Sequence, residues 1–382
     1  MTEGGTAYRQ CSVSVLDTVD DPQMRFDEEG RCHYYHEYLR AEQVEVRKGD
    51  AGRLELESLA DEIRAAGRGK PYDSIMGLSG GVDSTYVAYV AKELGLRPLA
   101  VHFDNGWNSE LAVKNIENIV SRLGFDLSTF VINWAEFRDL QLAYLKASVV
   151  DIEVVTDHAI FATLYRIAAR HGIHSILSGN NVVTEHVLPP HWIYNKTDHV
   201  NIRAIHREFG TVPLKTYPFM DLKVKKYYQM VRRIRSHSIL NYVEYNKARV
   251  KRLITEELGW RDYGGKHYES IFTRFYQGYI LPTKFGIDKR KAHLSNLIFS
   301  GQLTKQQALM ELKEPIYAPD QQASDYEFVL KKLGLTESEF SELMDRPPRA
   351  HTDFATERSV YDAYPMLRPL RGAAEILKSA IR

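Results

Sequence analysis

The stretch Asp73-Ser-Ile-Met-Gly-Leu-Ser-Gly-Gly-Val-Asp-Ser84 decides the predicted fold. A short apolar run leads into paired glycines flanked by hydroxyl side chains, at Ser79, Gly80, Gly81 and Ser84. Glycines let successive backbone N–H groups turn toward an anion, and serine hydroxyls add donors. Asp83 stands where a carboxylate can hold Mg²⁺ against bound phosphates. The stretch therefore predicts a phosphate-binding loop between a strand and a helix; an ordinary turn is the alternative.

The residues after the loop support this prediction. Apolar side chains recur at helical spacing over 86–94, and Gly95 is placed as a helix C-cap. A second strand, Pro98–Asp104, follows at once and ends in polar residues. Strand, loop, helix and strand in this order predict a βαβ unit with a ligand-facing edge. The hexapeptide at 79–84 also resembles the pyrophosphate-binding loop of enzymes that cleave ATP to AMP and pyrophosphate.

The composition is that of an ordinary soluble globular protein. The 382 residues allow two domains, or one core domain with additions. Lys+Arg and Asp+Glu both total 50, so no global field draws the chain to nucleic acid. No apolar run approaches a membrane span, and the first residues lack an apolar signal core. We therefore expect a cytoplasmic protein without membrane association. Its two cysteines imply no disulfide framework.

Strand and helix patterns alternate along the chain, which predicts an α/β fold with a doubly wound parallel sheet. Strands are expected at 74–78, 99–103, 127–132 and 175–177, and helices near 54–66, 84–94, 109–123, 137–148 and 158–171. The stretch at 181–220 is a candidate long active-site loop. Helical patterns dominate thereafter, the first at Lys223–Ser236. We expect an N-terminal segment at 1–52, a phosphate-loop domain at 53–222 and a helical domain at 223–382 that completes the site.

Polar residues follow two of the predicted strands. Asp104 is placed to accept hydrogen bonds from ribose hydroxyls, and His102 or Asn105 to contact adenine. The alternative is a capping Asp104 in an Asn-Gly turn. After the later strand, Gly179 would allow close approach of a nucleotide beside Asn180, although an ordinary strand-to-loop turn also explains this stretch.

Three carboxylates, Asp151, Glu153 and Asp157, precede a predicted helix. Mg²⁺ prefers oxygen ligands, so Asp83 and Asp157 form a candidate magnesium pair between the phosphates. Helix N-capping by Asp157 explains the pattern equally well.

Two later stretches combine aromatic, glycine and basic residues. Lys266 and His267 lie beside glycines in Trp260–Glu269, and Lys284 opens a basic run that continues to His293. These side chains are candidate catalytic groups or phosphate clamps. A solvated basic helix face is the alternative for each of them.

The two cysteines, Cys11 and Cys32, each begin half of a C-x-x-C pattern, typical of a zinc ribbon. Ser14 and Tyr35 stand where the second cysteine of each pair would be. The segment therefore either binds zinc with substitute ligands or is a metal-free relic of that fold. Nearby side chains that can substitute are Asp17, His33 and His36.

The chain resembles the N-acetyl sugar amidotransferases of bacterial surface-polysaccharide biosynthesis, within the PP-loop ATP pyrophosphatases. The likeness covers most of the chain, roughly residues 10–320. The stretches that carry it are Val15–Thr18, Leu78–Ser84, His102–Trp107, Ser178–Asn181, Trp260–Glu269 and Lys284–Ser295. Family members usually have both C-x-x-C motifs complete, so zinc is not carried over to this chain.

This resemblance implies an ATP- and Mg²⁺-dependent ligase that forms a C–N bond. Such an enzyme converts an acetamido group of a UDP-linked N-acetyl sugar to an acetamidino group, in lipopolysaccharide O-antigen or a related glycan. Adenylate transfer to the amide oxygen would give an O-adenylyl imidate, which ammonia converts to the amidine with loss of AMP. The implied ammonia source is a separate glutaminase subunit.

The sequence also indicates that a different protein hydrolyses glutamine. A glutaminase needs a nucleophilic cysteine at a processed N-terminus or in a strand-to-helix turn, whereas residue 2 is Thr and neither cysteine is expected at such a turn. One rival is a PP-loop tRNA-modifying enzyme that adenylates a base, with the basic, aromatic stretch Lys223–Arg235 as its RNA contact. The other is a non-catalytic nucleotide-binding scaffold, against which the intact loop argues.

Overall fold

The computed structural model describes residues 7–265, 268–357 and 366. At its centre lies one parallel sheet with the strand order β3-β2-β1-β4-β5. The strands are β1 Ser74–Gly77, β2 Pro98–Asp104, β3 Leu127–Val131, β4 Ser175–Ser178 and β5 Arg235–Ser238. The chain builds the sheet outward from β1 to β3 and then crosses back to the other side of β1. The predicted α/β fold with a doubly wound sheet is confirmed.

Helices connect and cover these strands. In chain order they are α1 His33–Glu45, α2 Gly49–Ala66, α3 Val82–Glu93, α4 Glu110–Leu123, α5 Trp134–Ala147, α6 Val154–His171, α7 Val182–Glu185, α8 His199–Phe209, α9 Leu222–Lys226, α10 Lys247–Leu258, α11 Ile271–Phe275, α12 Leu281–Phe285, α13 Arg290–Phe299, α14 Lys305–Glu311, α15 Pro319–Leu333 and α16 Glu337–Asp345. Short π-helical turns at 227–231 and 276–280 continue α9 and α11. None of the described helices is both long and apolar enough to cross a lipid bilayer.

The sheet separates two apolar layers. Successive strand side chains point to opposite faces, so Met76 packs with Val87 of α3 in one layer, while Ile75 packs with Ala162 of α6 in the other. The connection through α3 runs from β1 to β2, whereas the connection through α6 runs back from β3 to β4 on the other side of β1. Because both crossovers are right-handed, the two helices lie on opposite faces of the sheet. The loops after β1 and β4 therefore diverge and leave a crevice at the carboxyl ends of the strands.

Capping residues explain where several helices begin. The Ser109 side chain accepts a hydrogen bond from the N–H of Ala112 at 3.2 Å and starts α4. Asn133 caps α5 in the same way, so that helix begins at Trp134 rather than at the predicted residue 137. The predicted elements of the sheet region are otherwise reproduced with small shifts at their ends.

Two predictions outside this region are wrong. The stretch at 181–220 is not one long loop, because it contains α7 and α8. Asp198 accepts from the N–H of Asn201 at 2.9 Å and begins α8, which buries Ile202 and Ile205. The predicted helix Lys223–Ser236 ends early, and its last residues enter β5 to pair with β4. The parallel sheet thus extends past residue 222, the predicted end of its domain.

Candidate active site

The loop between β1 and α3 is held in a turn that favours glycine. Gly80 has a φ of +80°, and a Cβ there would lie only 2.8 Å from the carbonyl oxygen of Ala112. The N–H of Gly81 donates to Ser79 Oγ at 3.2 Å, and the Ser79 and Ser84 hydroxyls lie 3.2 Å apart. The chain enters α3 directly after Gly81. The loop thus gathers hydroxyls and the first N–H groups of a helix around one point, which suits an anion.

Side chains from the C-terminal part lie against this loop. The indole N–H of Trp260 donates to the carbonyl oxygen of Gly80 at 2.8 Å. The Ser79 hydroxyl donates to Glu269 Oε1 at 3.4 Å. Both contacts link residues about 180–190 positions apart in sequence. The loop between β1 and α3 and the C-terminal part of the chain therefore form one site.

Asp83 is oriented by a tyrosine. The Tyr245 hydroxyl donates to Asp83 Oδ1. Burial and the neighbouring Asp83 carboxylate raise the pKa of Tyr245, which keeps its hydroxyl protonated and donating. The Tyr86 ring packs edge-on against Tyr245 with centroids 5.8 Å apart. One oxygen of the carboxylate is thereby fixed in direction.

A cavity of about 760 Å³ opens above the loop, and we call it the loop cavity. Its volume is that of a small-molecule site. Two of its basic residues are already paired: Lys251 Nζ lies 2.6 Å from Asp262, and an Arg290 nitrogen lies 2.9 Å from Asp288. Six of the residues predicted to bind the cofactor line it, namely Ser79, Gly81, Asp83, Ser84, Gly179 and Asn180.

A second cavity of about 420 Å³, the nucleoside cavity, adjoins the first at Ser79. Apolar walls from both sheet and helix surround its polar edge, including Val101, Phe103, Ile160 and Leu164. His102 and Asn105 line it as predicted, and His102 is held between the carbonyl oxygen of Leu78 at 3.3 Å and the Asn108 amide at 3.1 Å. An apolar slot with a polar edge suits a purine nucleoside.

Asp104 does not line that cavity. Its carboxylate accepts from the N–H of Gly106 at 2.8 Å and from the Asn108 amide at 3.2 Å. These bonds close the turn after β2. Asp104 Oδ1 thus has the turn role that was the alternative, and the structure does not bring Asp104 to the nucleoside cavity.

A third cavity of about 450 Å³ begins at Asn180 and extends away from the loop. Its lining includes His186, His293 and Asn296. Asn296 is structural, since its side chain bonds both the N–H and the carbonyl oxygen of Val187. We call this space the third cavity.

The predicted magnesium pair is not gathered in one cavity. Asp83 lines the loop cavity, whereas Asp157 lines the nucleoside cavity. Lys196 Nζ lies 3.1 Å from Asp157 and 2.7 Å from buried Asp151. Burial would lower the pKa of Lys196, but the two carboxylates outweigh it and raise the pKa. Within the described ranges no group of three or more His, Cys, Asp or Glu side chains suits a metal ion.

Lys284 lies outside all three cavities. Its ammonium donates to the carbonyl oxygens of Leu343, Met344 and Arg346 at 2.5, 3.0 and 2.8 Å. It therefore caps the C-terminus of α16, where a cation is favourable. The structure therefore does not bring Lys284, one of the predicted catalytic residues, to the site. Lys266 and His267, the other two predicted groups of this kind, lie outside the described residues.

The cysteines come together, but among the described residues His33 and His36 do not join them. The N–H of Cys32 lies 3.2 Å from Cys11 Sγ, and both side chains are fully buried. The possible substitutes point elsewhere: His36 lies 2.8 Å from Asp27, and His33 lies 3.9 Å from Asp21. Cys32 immediately precedes α1, but it follows an isolated bridge with Phe26 and not a strand, so it does not lie in a strand-to-helix turn.

Sequence reasoning missed several side chains of the site. Tyr245 and Gln277 lie in the C-terminal part, where helical patterns dominate and nothing distinguishes a site residue from a core residue. Lys289 lies within the basic run 284–293, in which the sequence alone does not distinguish it, and Lys196 belongs to no motif. The useful signal for Lys289 was its place at the start of α13, beside paired Asp288 and Arg290.

Two family descriptions match the chain. Residues 269–368 match "LPS biosynthesis protein WbpG-like, C-terminal domain", and residues 56–174 match "NAD synthase". The first match begins at Glu269, the residue that meets the loop, and the second contains the loop itself. Together the matches cover both sides of the loop cavity.

Individual relatives are more distant. The tRNA(Ile)-lysidine synthase of Chlamydia pneumoniae is 36% identical over 70 residues, which are 18% of this chain and 22% of that protein. The NH3-dependent NAD synthetase of Campylobacter jejuni is 17% identical with a TM-score of 0.29, covering 41% of this chain and 72% of that one. The NMN synthetase of Francisella tularensis is 14% identical with a TM-score of 0.31, covering 75% and 98%.

The two family matches agree with the resemblance drawn from the sequence. Residues 56–174, which contain the loop, are thus similar to the NAD synthase family, and residues 269–368 are similar to the C-terminal domain of WbpG-like lipopolysaccharide biosynthesis proteins.

Proposed function

We propose that the protein is an ATP-dependent amidotransferase that converts an acetamido group of a UDP-linked N-acetyl sugar to an acetamidino group. It would act in the cytoplasm, in the synthesis of lipopolysaccharide O-antigen or a related surface glycan. The observation that supports this most is the contact between the loop and the WbpG-like domain, at Ser79 and Glu269. An ATP-cleaving loop that shares a cavity with a polysaccharide-biosynthesis domain is suited to activating a sugar substrate.

The chemistry needs activation because an amide oxygen is a poor leaving group. The amide oxygen attacks the α-phosphorus of ATP, the O–P bond forms, and the bond to the β-phosphate breaks with its electron pair leaving on pyrophosphate. Ammonia then adds to the imidate carbon, a proton is lost, and the C–O bond breaks to release AMP. The N–H groups and hydroxyls of Ser79–Ser84 would bind the departing pyrophosphate.

The residues fit magnesium as a substrate-bound ion. Mg²⁺ is commonly held by one or two carboxylates together with substrate phosphates, and Asp83 lines the loop cavity with one oxygen oriented by Tyr245. Bound there, the ion would neutralise phosphate charge. A second ligand role for Asp157 stays a prediction, and its ion pair with Lys196 favours a structural use instead.

Ammonia would come from a separate glutaminase. Cys11 and Cys32 are fully buried and line none of the three cavities. A buried thiol cannot reach glutamine, so we expect free ammonium to replace the partner. Production of glutamate from glutamine by the purified chain alone would contradict this.

A tRNA-modifying enzyme is the second candidate, favoured by the short match to a tRNA(Ile)-lysidine synthase. The exposed side chains Lys223, Arg233 and Arg235 are its possible RNA contacts. This function predicts tight tRNA binding that weakens steeply with salt.

Pyrophosphate release tests the proposal. We expect ATP, ammonium and the correct UDP-linked acetamido sugar together to yield AMP, pyrophosphate and an amidine in equal amounts. Asp83→Ala should lower the rate by at least about a hundredfold, because the charge on the leaving group is then not neutralised. Release of ADP and orthophosphate, or release that depends on tRNA instead of the sugar, would overturn the assignment.

A further inference from the structure

Three cavities meet at the centre of the molecule, and two side chains lie at their junction. Gln277 and Lys289 line the loop cavity, the nucleoside cavity and the third cavity. Of the described residues, these two alone line all three. Gln277 belongs to the π-helical turn after α11, and Lys289 immediately precedes α13.

The covalent structure of ATP would place its α-phosphorus at this junction. If pyrophosphate lies on the loop and adenosine in the nucleoside cavity, the α-phosphorus must lie between them, where those two cavities adjoin. A nucleophile must approach that atom from the side opposite the leaving pyrophosphate. The third cavity opens at the same point and is lined by polar side chains such as His186 and His293. It is therefore suited to the acceptor sugar.

The charge of Lys289 is available at this point. Other basic residues of the region are neutralised: Arg274 binds Asp325 at 2.6 Å, Arg290 binds Asp288, and Lys196 binds Asp151. In the part of the chain that the structure covers, no carboxylate forms an ion pair with Lys289. Its ammonium lies 5.7 Å from the centroid of the Tyr276 ring, which is fully buried. Its charge also acts on the buried Asp151 carboxylate, whose pKa it helps to lower. Lys289 itself is half-buried and lines all three cavities, so an anion bound at their junction would be attracted to it.

Gln277 is constrained on one side. Its amide N–H donates to Glu153 Oε2 at 3.2 Å, and Thr273 donates to the other oxygen of Glu153 at 2.5 Å. The carboxylate thus fixes the Gln277 amide at the junction, beside the lysine.

We propose that Lys289 binds the α-phosphate of ATP and is a catalytic residue of adenylate transfer, with Gln277 as a positioning residue, an inference that rests on the proposed function. When the acceptor oxygen bonds to the α-phosphorus and the bond to pyrophosphate breaks, negative charge spreads over the α-phosphoryl oxygens. The Lys289 ammonium neutralises that charge in the transition state. The acceptor sugar occupies the third cavity and reaches the phosphorus from there.

A comparison of AMP and adenosine affinities tests the contact between Lys289 and the α-phosphate without requiring the overall reaction. AMP carries the α-phosphate and adenosine does not, so AMP should bind the native protein about tenfold or more tighter than adenosine, as expected for a charge-assisted hydrogen bond. In Lys289→Met that preference should vanish, with pyrophosphate affinity unchanged within about twofold. In turnover, kcat should fall about 10²- to 10³-fold while KM for the sugar changes little.

Lys284→Met is the matched control. It removes a lysine five positions earlier that caps α16, so it should lower the melting temperature and leave the preference for AMP intact. Lys289→Arg should restore part of the preference. A Lys289→Met protein that still prefers AMP, or that loses pyrophosphate affinity equally, would overturn the proposal. If no amidine forms with any sugar but the AMP preference behaves as stated, the proposed reaction is wrong and the phosphate contact stands.

Discussion

The indole N–H of Trp260 donates to the carbonyl oxygen of Gly80 at 2.8 Å, and this buried bond joins the C-terminal part to the centre of the loop. The Trp260 side chain is 1% exposed. The bond therefore holds the loop in the shape that an anion needs.

Trp260→Phe should weaken both folding and nucleotide binding. The substitution leaves a buried carbonyl group without its donor, which costs about 1–3 kcal/mol in the free energy of unfolding. We expect ATP affinity to fall because the hydrogen bond that fixes the carbonyl group of Gly80 is lost. Trp192→Phe is the control: Trp192 is equally buried but lines none of the three cavities, so it should lower stability and leave ATP affinity unchanged. Equal losses of affinity in both variants would contradict this role.

Gly80→Ala should abolish measurable ATP binding. The new Cβ would be 2.8 Å from the carbonyl oxygen of Ala112, in addition to the strain of a positive φ. Gly124→Ala is a matched control, because Gly124 has a φ of +68° with no atom within 4 Å of the added Cβ. It should cost only the conformational strain, about 1 kcal/mol of stability. Isothermal titration with ATP and denaturant unfolding would separate the two effects.

Two buried histidines are held in the neutral state. Nε2 of His158 accepts from the N–H of Met220 at 3.1 Å, so its other nitrogen carries the proton and donates to the carbonyl oxygen of Lys196 at 2.9 Å. His351 likewise accepts at Nε2 from the N–H of Asp151 at 3.4 Å. Burial lowers the pKa of each histidine to about 4. A proton on Nε2 of either histidine would point at the backbone N–H that now donates to that nitrogen.

This arrangement makes the folded protein sensitive to acid. The pKa of each histidine is lower in the folded state than the usual 6.5, so the unfolded chain binds more protons between about pH 6.5 and pH 4. Their contribution is full above pH 6.5 and is lost as the pH falls toward 4, up to about 3 kcal/mol for each ring. Urea unfolding at several pH values should show this slope. His158→Gln should flatten it, and exposed His171→Gln should not; an unchanged slope in His158→Gln would contradict the assignment.

Local pattern predicted the sheet well because its signals are local. An apolar strand, a Ser-Gly-Gly loop and a following helix all lie within 73–95, and the structure has each in place. The helix α1 was not predicted, since its side chains are polar and only Tyr34, Tyr38 and Ala41 are buried. Its stability comes from contacts that a periodic pattern does not contain.

The site was harder to predict because its members come from distant parts of the chain. Lys284 and Lys289 lie in the same basic run, and sequence alone gives no reason to prefer one. The fold separates them: α12 directs Lys284 to the end of α16, while Lys289 comes to the junction of the cavities. Asp104 shows the reverse case, since a ligand-like aspartate proves to close its own turn.

The ion pairs of Lys291 have a consequence for the whole chain. Its ammonium lies 2.7 Å from Asp17 and 2.6 Å from Asp20. The N-terminal segment is therefore bound to the first turn of α13, two residues from Lys289. These two ion pairs anchor the N-terminal segment to α13. Deletion of the first thirty residues would remove both carboxylates and leave the part-buried Lys291 ammonium without them, two residues from the junction of the cavities.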